Sequence, residues 1–541
     1  MRRLVLFFAL ALGALVAFAS PASAHATLTD SNPKNGAHLD APPKQVSLHF
    51  SEHVEVSLGA VRVFSSTGKR LDTGAIGHPN GDASSVVVVV PHLRDGAYVV
   101  TWRVISADSH PVQGAFTFTV GTAKAAKDSD IAGLLATRGG SRTVGAVYGV
   151  TRSLAFAALL LLLGGVAFVM LCWPDGATAP AVERTLLGAL IALFVLTALN
   201  LGLQGAYGGG LGLSAAFKSS VITGVVHTRF GHVYLARLVL LLLAVPVLFL
   251  MRLPVLPPGF RWIALLVGVG LAATPGLAGH AAIGTDEPYA LIADVAHVGA
   301  AATWIAGIVF LVLFVLPRGS TDVVKVITRR YSAVAFTAVA VLVATGVFQG
   351  YRQVGSIDAL RSTTYGKLLI VKTALVALML AGAWLSRRAT RAKWIADTAP
   401  RIRRSVALEA LLAVGVLSVT GLLVNAVPAK VLAAAPQSGE LTSAALLVDY
   451  TISPGRSGTN EIHLYTLTKA GQPKVIEEMT LKMSLPGRGI APIPVTLENA
   501  GPGHYQSLNF VLPLKGQWRM DVVARTSAID EAVFDGTVSI R

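Results

Sequence analysis

Residues 154–171 read LAFAALLLLLGGVAFVML and contain no charged side chain. A run of this length predicts a transmembrane α-helix, because a helix needs roughly 20 apolar residues to cross the hydrocarbon core of a bilayer. The whole chain of 541 residues has a similar character: 53% of its residues are hydrophobic, 14% are charged, and the mean hydropathy is +0.62. These values lie far outside the range of soluble domains and indicate a polytopic membrane protein.

The sequence predicts eight apolar segments of this kind between residues 145 and 428. They lie near 145–173, 183–206, 232–251, 261–280, 289–316, 331–351, 365–386 and 405–427. Lys and Arg are concentrated in the loops that follow the first, third, fifth and seventh segments. By the positive-inside rule these loops are cytoplasmic. We therefore expect a multi-pass protein of the cytoplasmic membrane with both soluble ends on the extracytoplasmic side.

The first 24 residues predict a signal peptide. They begin with Arg2 and Arg3, continue through an apolar run and end in A-S-A at residues 22–24. This pattern is typical of a leader that is removed on export, and the alternative is an uncleaved membrane anchor. Cleavage after Ala24 would make His25 the mature N-terminus, where the free amine and the ring nitrogen can chelate one metal ion.

Two segments outside the apolar region, residues 25–121 and 443–541, consist of short β-type runs separated by turn residues. Examples are GAYVVTWRVIS and GAFTFTV in the first and NEIHLYTLTK and GQWRMDVVAR in the second. Such patterns predict an exported all-β sandwich for each segment. The predicted fold is a multidomain membrane protein: a β-sandwich, a linker over 122–144, an eight-helix transmembrane α domain, and a second β-sandwich.

The formal net charge of +16 does not indicate a nucleic-acid partner. The excess of positive charge lies in the membrane region and its flanks, where it orients the helices in the bilayer. The single cysteine, Cys172, excludes a disulfide framework and a thiolate metal cluster. The lipid bilayer is therefore the expected partner of the apolar region.

A candidate metal site lies in the first β segment. Asp108 and His110 are two residues apart at the end of a predicted strand, so both side chains can point to one side. A carboxylate beside an imidazole either orients the ring or joins it on a metal ion. Together with His25 this set suits Cu(II), which favours tetragonal nitrogen and oxygen ligation. Residues 25–121 contain no methionine, so Cu(I) ligation by thioethers is not expected there, and His53 is more simply a surface histidine.

Three stretches of this segment, HATLTDSNPKNG, LHFSE and VISADSHPVQGAFTFTV, closely resemble the CopC family of periplasmic copper-binding proteins. The resemblance covers residues 25–121. In that family the N-terminal histidine supplies its amine and ring nitrogen, a later histidine supplies a third nitrogen, and an aspartate completes or steadies the Cu(II) site. The resemblance implies these roles for His25, His110 and Asp108, respectively.

Ionisable side chains are rare within lipid and often mark function. His280 lies at the outer end of the fourth predicted span, and Asp294 and His297 lie three residues apart on one face of the fifth. We predict that these three residues line a pathway for copper or for protons. The alternative is that Asp294 and His297 form a polar pair that holds helices together.

The segments GHAA, DVAHVGAAATWIAG and TTYGKLLIVK resemble the CopD family, whose members are implicated in moving copper across the cytoplasmic membrane. The resemblance covers about residues 145–430 and leaves the coordinating residues open. Lys367 and Lys372, in the third of these segments, are as consistent with interface anchors as with pathway groups. The stretch GPGHYQSLNFVLPLKGQWRMDVVAR resembles YtkA-like β domains, in which Tyr505 and Trp518 would be core residues.

The sequence contains no G-x-x-x-x-G-K-[ST] loop, which disfavours an ATP-driven pump. We interpret the chain as a non-enzymatic copper import or homeostasis protein. The first domain would capture Cu(II), and the membrane domain would pass copper as Cu(I) or Cu(II), with extracytoplasmic copper carriers as further partners. Three alternatives stay open: a membrane haem or copper oxidoreductase, copper sequestration without transport, and a copper-dependent polysaccharide monooxygenase. The last is disfavoured because Trp102 is the only tryptophan of the first domain.

Overall fold

The chain is described by a computed structural model. The described residues are 26, 28–34, 37–56, 61–65, 67–91, 93–106, 111–121, 141–279, 287–318, 320–392, 399–424, 426, 428–430, 436–469, 474–501, 503–527 and 529–541. They divide into two compact units: residues 140–429 form the body of one, and the two β-rich segments belong to the other.

The first β-rich segment folds into two sheets. Its strands are β1 (Leu28–Asn32), β2 (Ala37–Leu39), β3 (Gln45–Phe50), β4 (Val54–Glu55), β5 (Val61–Ser65), β6 (Ile76–Gly77), β7 (Ser85–Val89), β8 (Gly96–Ser106) and β9 (Pro111–Val120). One sheet has the order β1-β3-β7-β6, and the other has the order β2-β9-β8-β4 with β5 also paired to β8. Alternate residues of β3, Val46, Leu48 and Phe50, are buried in one core to which both sheets contribute. The predicted β-sandwich is confirmed.

The C-terminal segment also forms two antiparallel sheets around one core. Its strands are β10 (Gln437–Thr442), β11 (Leu446–Ser453), β12 (Gly458–Thr468), β13 (Glu478–Leu485), β14 (Ile490–Val495), β15 (Glu498–Gly501), β16 (His504–Leu512), β17 (Gly516–Arg525) and β18 (Glu531–Ile540). The sheet orders are β10-β11-β12-β16-β15 and β14-β13-β17-β18. Tyr505 and Trp518 lie in this core, together with Met479, Met483 and Met520. The methionines therefore act as packing residues.

The segment between the β domains is helical. Its helices are α1 (Arg142–Leu171), α2 (Pro180–Gly208), α3 (Ser219–Val226), α4 (Arg229–Leu250), α5 (Phe260–Leu277), α6 (Glu287–Phe310), α7 (Thr321–Val354), α8 (Ile357–Ser362), α9 (Thr364–Ala392) and α10 (Ala399–Val424). Helix α6 continues through a π-helical turn, Leu311–Val315. Among the described residues, seven helices are long and apolar enough to cross a membrane: α1, α2, α4, α5, α6, α7 and α9.

These seven helices coincide with the first seven predicted spans and fit a multi-pass membrane protein. The eighth predicted span, 405–427, overlaps α10, whose described apolar stretch is the shorter Leu411–Val424. A crossing at α10 therefore stays a prediction. The helix itself forms where the sequence places it.

Helix α6 is held close to its neighbours at two glycines. A Cβ atom at Gly164 of α1 would come within 1.9 Å of the Ala302 carbonyl oxygen, and one at Gly276 of α5 would come within 2.5 Å of Asp294 Oδ2. Small residues permit such close approach between membrane helices. The glycine on α5 thereby leaves room for the Asp294 carboxylate at the contact between α5 and α6.

Candidate functional site

The metal site predicted in the first domain lies outside the described residues, which exclude His25, Asp108 and His110. Their chain neighbours are described. Ala26 is 3% exposed and belongs to the core of the domain, and the adjacent strands β8 and β9 end at Ser106 and begin at Pro111. The three-ligand set therefore stays a prediction, anchored at its flanks to a folded domain.

The four described histidines of the first domain are engaged locally or exposed. His38 Nδ1 lies 3.0 Å from Thr119 Oγ1, His49 Nδ1 lies 2.8 Å from Ser85 Oγ, and His78 Nδ1 lies 2.7 Å from the Ser85 carbonyl oxygen. His53 is exposed, which agrees with its interpretation as a surface residue. The three contacts account for His38, His49 and His78 without a metal ion.

Trp102 packs within its own domain. Its ring meets Phe50 edge-on with centroids 5.3 Å apart, and a Cβ atom at Gly114 of β9 would lie 2.5 Å from its six-membered ring. The half-buried Trp102 ring is therefore partly covered by its own domain. The packing weighs against the polysaccharide monooxygenase alternative.

In the membrane domain, Asp294 and His297 both reach from α6 to α7. Gln349 Nε2 donates to Asp294 Oδ1 over 3.1 Å, and His297 Nδ1 lies 2.8 Å from Thr345 Oγ1. Thr345 and Gln349 are four residues apart and so lie one turn apart on the same face of α7. Two of the three predicted pathway residues, Asp294 and His297, therefore each connect α6 to α7 through a side-chain contact.

The hydrogen bonds around Thr345 assign the tautomer of His297. Thr345 Oγ1 lies 2.7 Å from the carbonyl oxygen of Val341, one turn earlier in α7, and donates its proton there. The same oxygen then accepts from His297 Nδ1–H, which leaves the lone pair of the ring on Nε2. A histidine oriented in this way through one nitrogen presents the other as a metal ligand or proton acceptor.

The polar face of α7 continues for another turn. Gln353, four residues after Gln349, accepts a short hydrogen bond from the Tyr365 hydroxyl of α9. We call Thr345, Gln349 and Gln353 the polar stripe of α7. It extends about 12 Å along the helix axis, and it contacts side chains of both α6 and α9.

Lys372 of α9 contributes a positive charge to the same region. Its ammonium group interacts electrostatically with the Asp294 carboxylate and with the His297 ring. From the sequence alone, Lys372 could be either an interface anchor or a pathway group. The structure places the Lys372 ammonium group within electrostatic range of the Asp294 carboxylate and the His297 imidazole.

The α6–α7–α9 cluster differs from a closed metal centre. Within the described ranges, no group of three or more His, Cys, Asp or Glu side chains converges so that it could hold a metal ion. His280, the third predicted pathway residue, lies outside those ranges. The described cluster therefore offers one imidazole nitrogen, one carboxylate and polar amides along a path, an arrangement suited to transient contact with a cation.

Sequence reasoning missed the polar stripe of α7. Its members recur every fourth residue in the C-terminal part of α7, and that spacing is the signal that was available. It also missed a second buried polar group on α4 and α5, in which Arg237 Nε donates to Thr274 Oγ1 over 2.8 Å. Arg237 is 5% exposed and lies over the Tyr234 ring, 4.4 Å from its centroid.

Three family profiles match successive parts of the chain. A CopC domain matches residues 28–121, the N-terminal domain of copper resistance protein D-like proteins matches residues 143–290, and copper resistance protein D matches residues 325–423. The chain belongs to the CopC/CopD family. Asp108, His110 and His280 of this CopC/CopD protein fall inside the matched ranges, as do the polar stripe of α7 and Lys372. His25, Asp294 and His297 fall outside them.

The chain is also similar to individual proteins. The chain is 29% identical over 525 residues to the copper transport protein CutJ of Bacillus subtilis strain 168, an alignment that covers 94% of each chain. It is 34% identical over 116 residues to copper resistance protein C of Escherichia coli, covering 20% of this CopC/CopD chain and 90% of that protein. The crystal structure of CopC from Methylosinus trichosporium OB3b is 34% identical, with 18% and 93% coverage and a TM-score of 0.17.

Proposed function

We propose that this protein binds copper on the extracytoplasmic side of the cytoplasmic membrane and passes it through the membrane domain. The observation that carries the proposal is the presence of CopC and CopD domains in one chain. The likeness to CutJ, a copper transport protein by name, spans nearly the whole chain and supports the same function. No catalytic step is proposed.

The first domain captures Cu(II) in this proposal. Removal of the signal peptide frees the amine of His25, which chelates the ion together with its own ring nitrogen, while His110 supplies a third nitrogen and Asp108 an oxygen. These are the donor types that Cu(II) prefers, and the domain contains no methionine for Cu(I). An extracytoplasmic copper carrier or free copper supplies the ion.

Within the membrane domain, the ion passes along the cluster formed by α6, α7 and α9. His297 offers Nε2 as a ligand because Thr345 holds its other nitrogen. Asp294 attracts the cation, and Lys372 compensates the carboxylate while no ion is present. An arriving copper ion competes with Lys372 for Asp294, so the negative charge of the site is balanced before and after entry.

The proposal is tested by the copper content of cells that express the protein. Wild-type cells should accumulate copper above cells without the protein, and His25→Ala and His297→Ala should each lower that level at equal expression. His227→Gln is a matched control, because His227 is an exposed histidine at the end of α3, outside the three helices of the cluster. Accumulation unchanged by both the His25→Ala and the His297→Ala substitution would refute copper import.

A further inference from the structure

A histidine pair lies on the outer face of the C-terminal domain. Strands β12 and β16 are antiparallel neighbours in which His463 is opposite Gln506 and Tyr465 is opposite His504. Residues Ile462 and Leu464 of β12 are buried in the core, so the intervening residues, including His463, face outward. His504, the first residue of β16, is diagonal to His463 of the central strand β12 on this same face.

The two imidazoles are in direct contact. His463 Nδ1 lies 3.1 Å from His504 Nε2, and the ring planes are 26° apart. Tyr465 stacks on His504 with centroids 4.3 Å apart and an interplanar angle of 13°. Glu461 Oε2 lies 3.9 Å from His463 Nε2, the nitrogen that points away from His504. Each imidazole is therefore contacted by one further side chain: Tyr465 for His504 and Glu461 for His463.

The spacing of the two nitrogens suits a metal ion. If each nitrogen lay about 2.0 Å from an ion, nitrogens 3.1 Å apart would subtend an angle of about 100° at it. That angle lies between the values for adjacent ligands in tetragonal and tetrahedral coordination, the geometries of Cu(II) and Zn²⁺. Glu461 occupies the outer position that carboxylates take beside metal-binding histidines, where they orient the ring.

The contact between the two rings contains one shared proton. For binding, the proton that the rings share moves to His504 Nδ1, so each ring keeps one proton and offers one lone pair to the ion.

We propose that His463 and His504 form a second copper site, in which two imidazoles hold Cu(II) and the remaining coordination positions stay open. The choice of copper rests on the proposed function. No third His, Cys, Asp or Glu joins the pair among the described residues. Water or a donor from a copper carrier therefore completes the coordination, which makes the site suited to exchange.

Copper binding to the full-length protein in lipid nanodiscs tests this site. Metal per chain is measured at buffered free Cu(II) by mass spectrometry, and the ligand field is measured by electron paramagnetic resonance. His504→Phe removes the nitrogen and retains the ring on Tyr465. His463→Gln is a second variant that retains a hydrogen-bonding side chain, and His227→Gln is the control. Each pair variant should lose about one copper equivalent per chain and one spectral component, whereas the control should lose neither.

Wild-type copper content and an unchanged spectrum in both folded pair variants would overturn the site and leave a packing contact between strands. The His25→Ala variant distinguishes this outcome from failure of the proposed function. It should remove the copper equivalent that the first domain binds, together with the spectral component of that site. A loss in His25→Ala without a loss in the pair variants would refute only the second site. No loss in His25→Ala would count against Cu(II) capture by the first domain, whatever the pair variants do.

Discussion

His297 illustrates how one hydroxyl can set the chemistry of a membrane residue. Thr345 lies between the Val341 carbonyl and the imidazole, so its oxygen accepts from Nδ1 and leaves Nε2 with the lone pair. An imidazole without this partner could rotate or carry its proton on the other nitrogen. The threonine is therefore a positioning residue for the proposed ligand.

Replacement of Thr345 by valine should reduce copper transport without removing any proposed ligand. Outer hydrogen-bond partners of metal-binding histidines typically contribute roughly 10–100-fold to metal affinity or activity, and we expect the uptake rate to fall within that range. Thr345→Ser retains the hydroxyl and should restore uptake. Thr337→Val, at an exposed threonine on the same helix, is the control. Equal uptake by Thr345→Val and wild type would contradict the assigned tautomer.

The lowered pKa of His504 leads us to expect that the stability of the C-terminal domain depends on pH. Its pKa in the folded domain is lowered to about 4, below the ordinary 6.5, by burial, by His463 and by Lys34, while the unfolded chain titrates near the ordinary value. Between these two values the unfolded state binds more protons, so the free energy of unfolding falls as pH falls from about 6.5 toward 4. Glu461, which faces His463, opposes this effect in part by stabilising a protonated pair.

Hydrogen–deuterium exchange in β12 and β16 of the full chain measures this effect. After correction for intrinsic rates, protection of these strands should decrease between pH 7 and pH 5. His504→Phe should reduce the decrease, because it removes the titrating group and retains the stacked ring. A pH dependence identical in wild type and His504→Phe would mean that other groups control it.

At the scale of elements, the cluster depends on how α6, α7 and α9 are rotated toward one another. Asp294 and Lys372 place opposite charges within the membrane region, where an uncompensated charge is costly. Each charge therefore makes the other tolerable. The Asp294 carboxylate of α6 and the Lys372 ammonium group of α9 influence each other electrostatically.

Lys372→Met should destabilise the helical domain by about 2–3 kcal/mol, because it leaves Asp294 uncompensated in the membrane. Asp294→Asn added to Lys372→Met should recover most of that loss, since no charge then remains unpaired. Thermal unfolding in detergent measures both effects, and copper uptake should stay impaired in the double variant. Additive destabilisation by the two substitutions would show that the side chains do not interact.

The contact between α1 and α6 gives a second prediction at this scale. A Cβ atom at Gly164 would lie 1.9 Å from a backbone oxygen, Ala302 O, which cannot rotate away. Gly164→Ala should therefore separate the helices and lower stability by about 1–3 kcal/mol. Gly188→Ala is the matched control, because nothing lies within 4 Å of a Cβ atom there. Equal melting temperatures for the two variants would contradict the close packing of α1 and α6.

The sequence predicted the positions of the helices along the chain better than it predicted which helices are in contact. The length of the apolar segments located seven helices that can cross a membrane, because a bilayer requires about 20 apolar residues per span. The rarity of ionisable side chains within lipid pointed to Asp294 and His297. Hydropathy does not specify how a helix is rotated or which helix it faces. The bonds to Thr345 and Gln349, and the role of Lys372, therefore emerged only from the folded arrangement. The histidine pair was likewise hidden, because its members are 41 residues apart and meet through strand pairing.

At the scale of the whole molecule, two β-sandwiches and a helical membrane domain follow one another in a single chain. Strand periodicity and composition predicted this order because each domain has its own core and its own repeat of buried residues. The order suits capture of an ion outside the membrane and its passage within it. The side of the membrane on which the β domains lie is part of the proposed function and rests on the loop charges.

The uptake of radioactive copper into proteoliposomes that contain the purified full-length protein tests the central claim most directly. Wild-type protein should raise the initial rate above that of protein-free vesicles, and His297→Ala should return the rate to that background while copper binding at the first domain is retained. Uptake by His297→Ala at the wild-type rate, with equal reconstitution, would contradict passage of copper along α6.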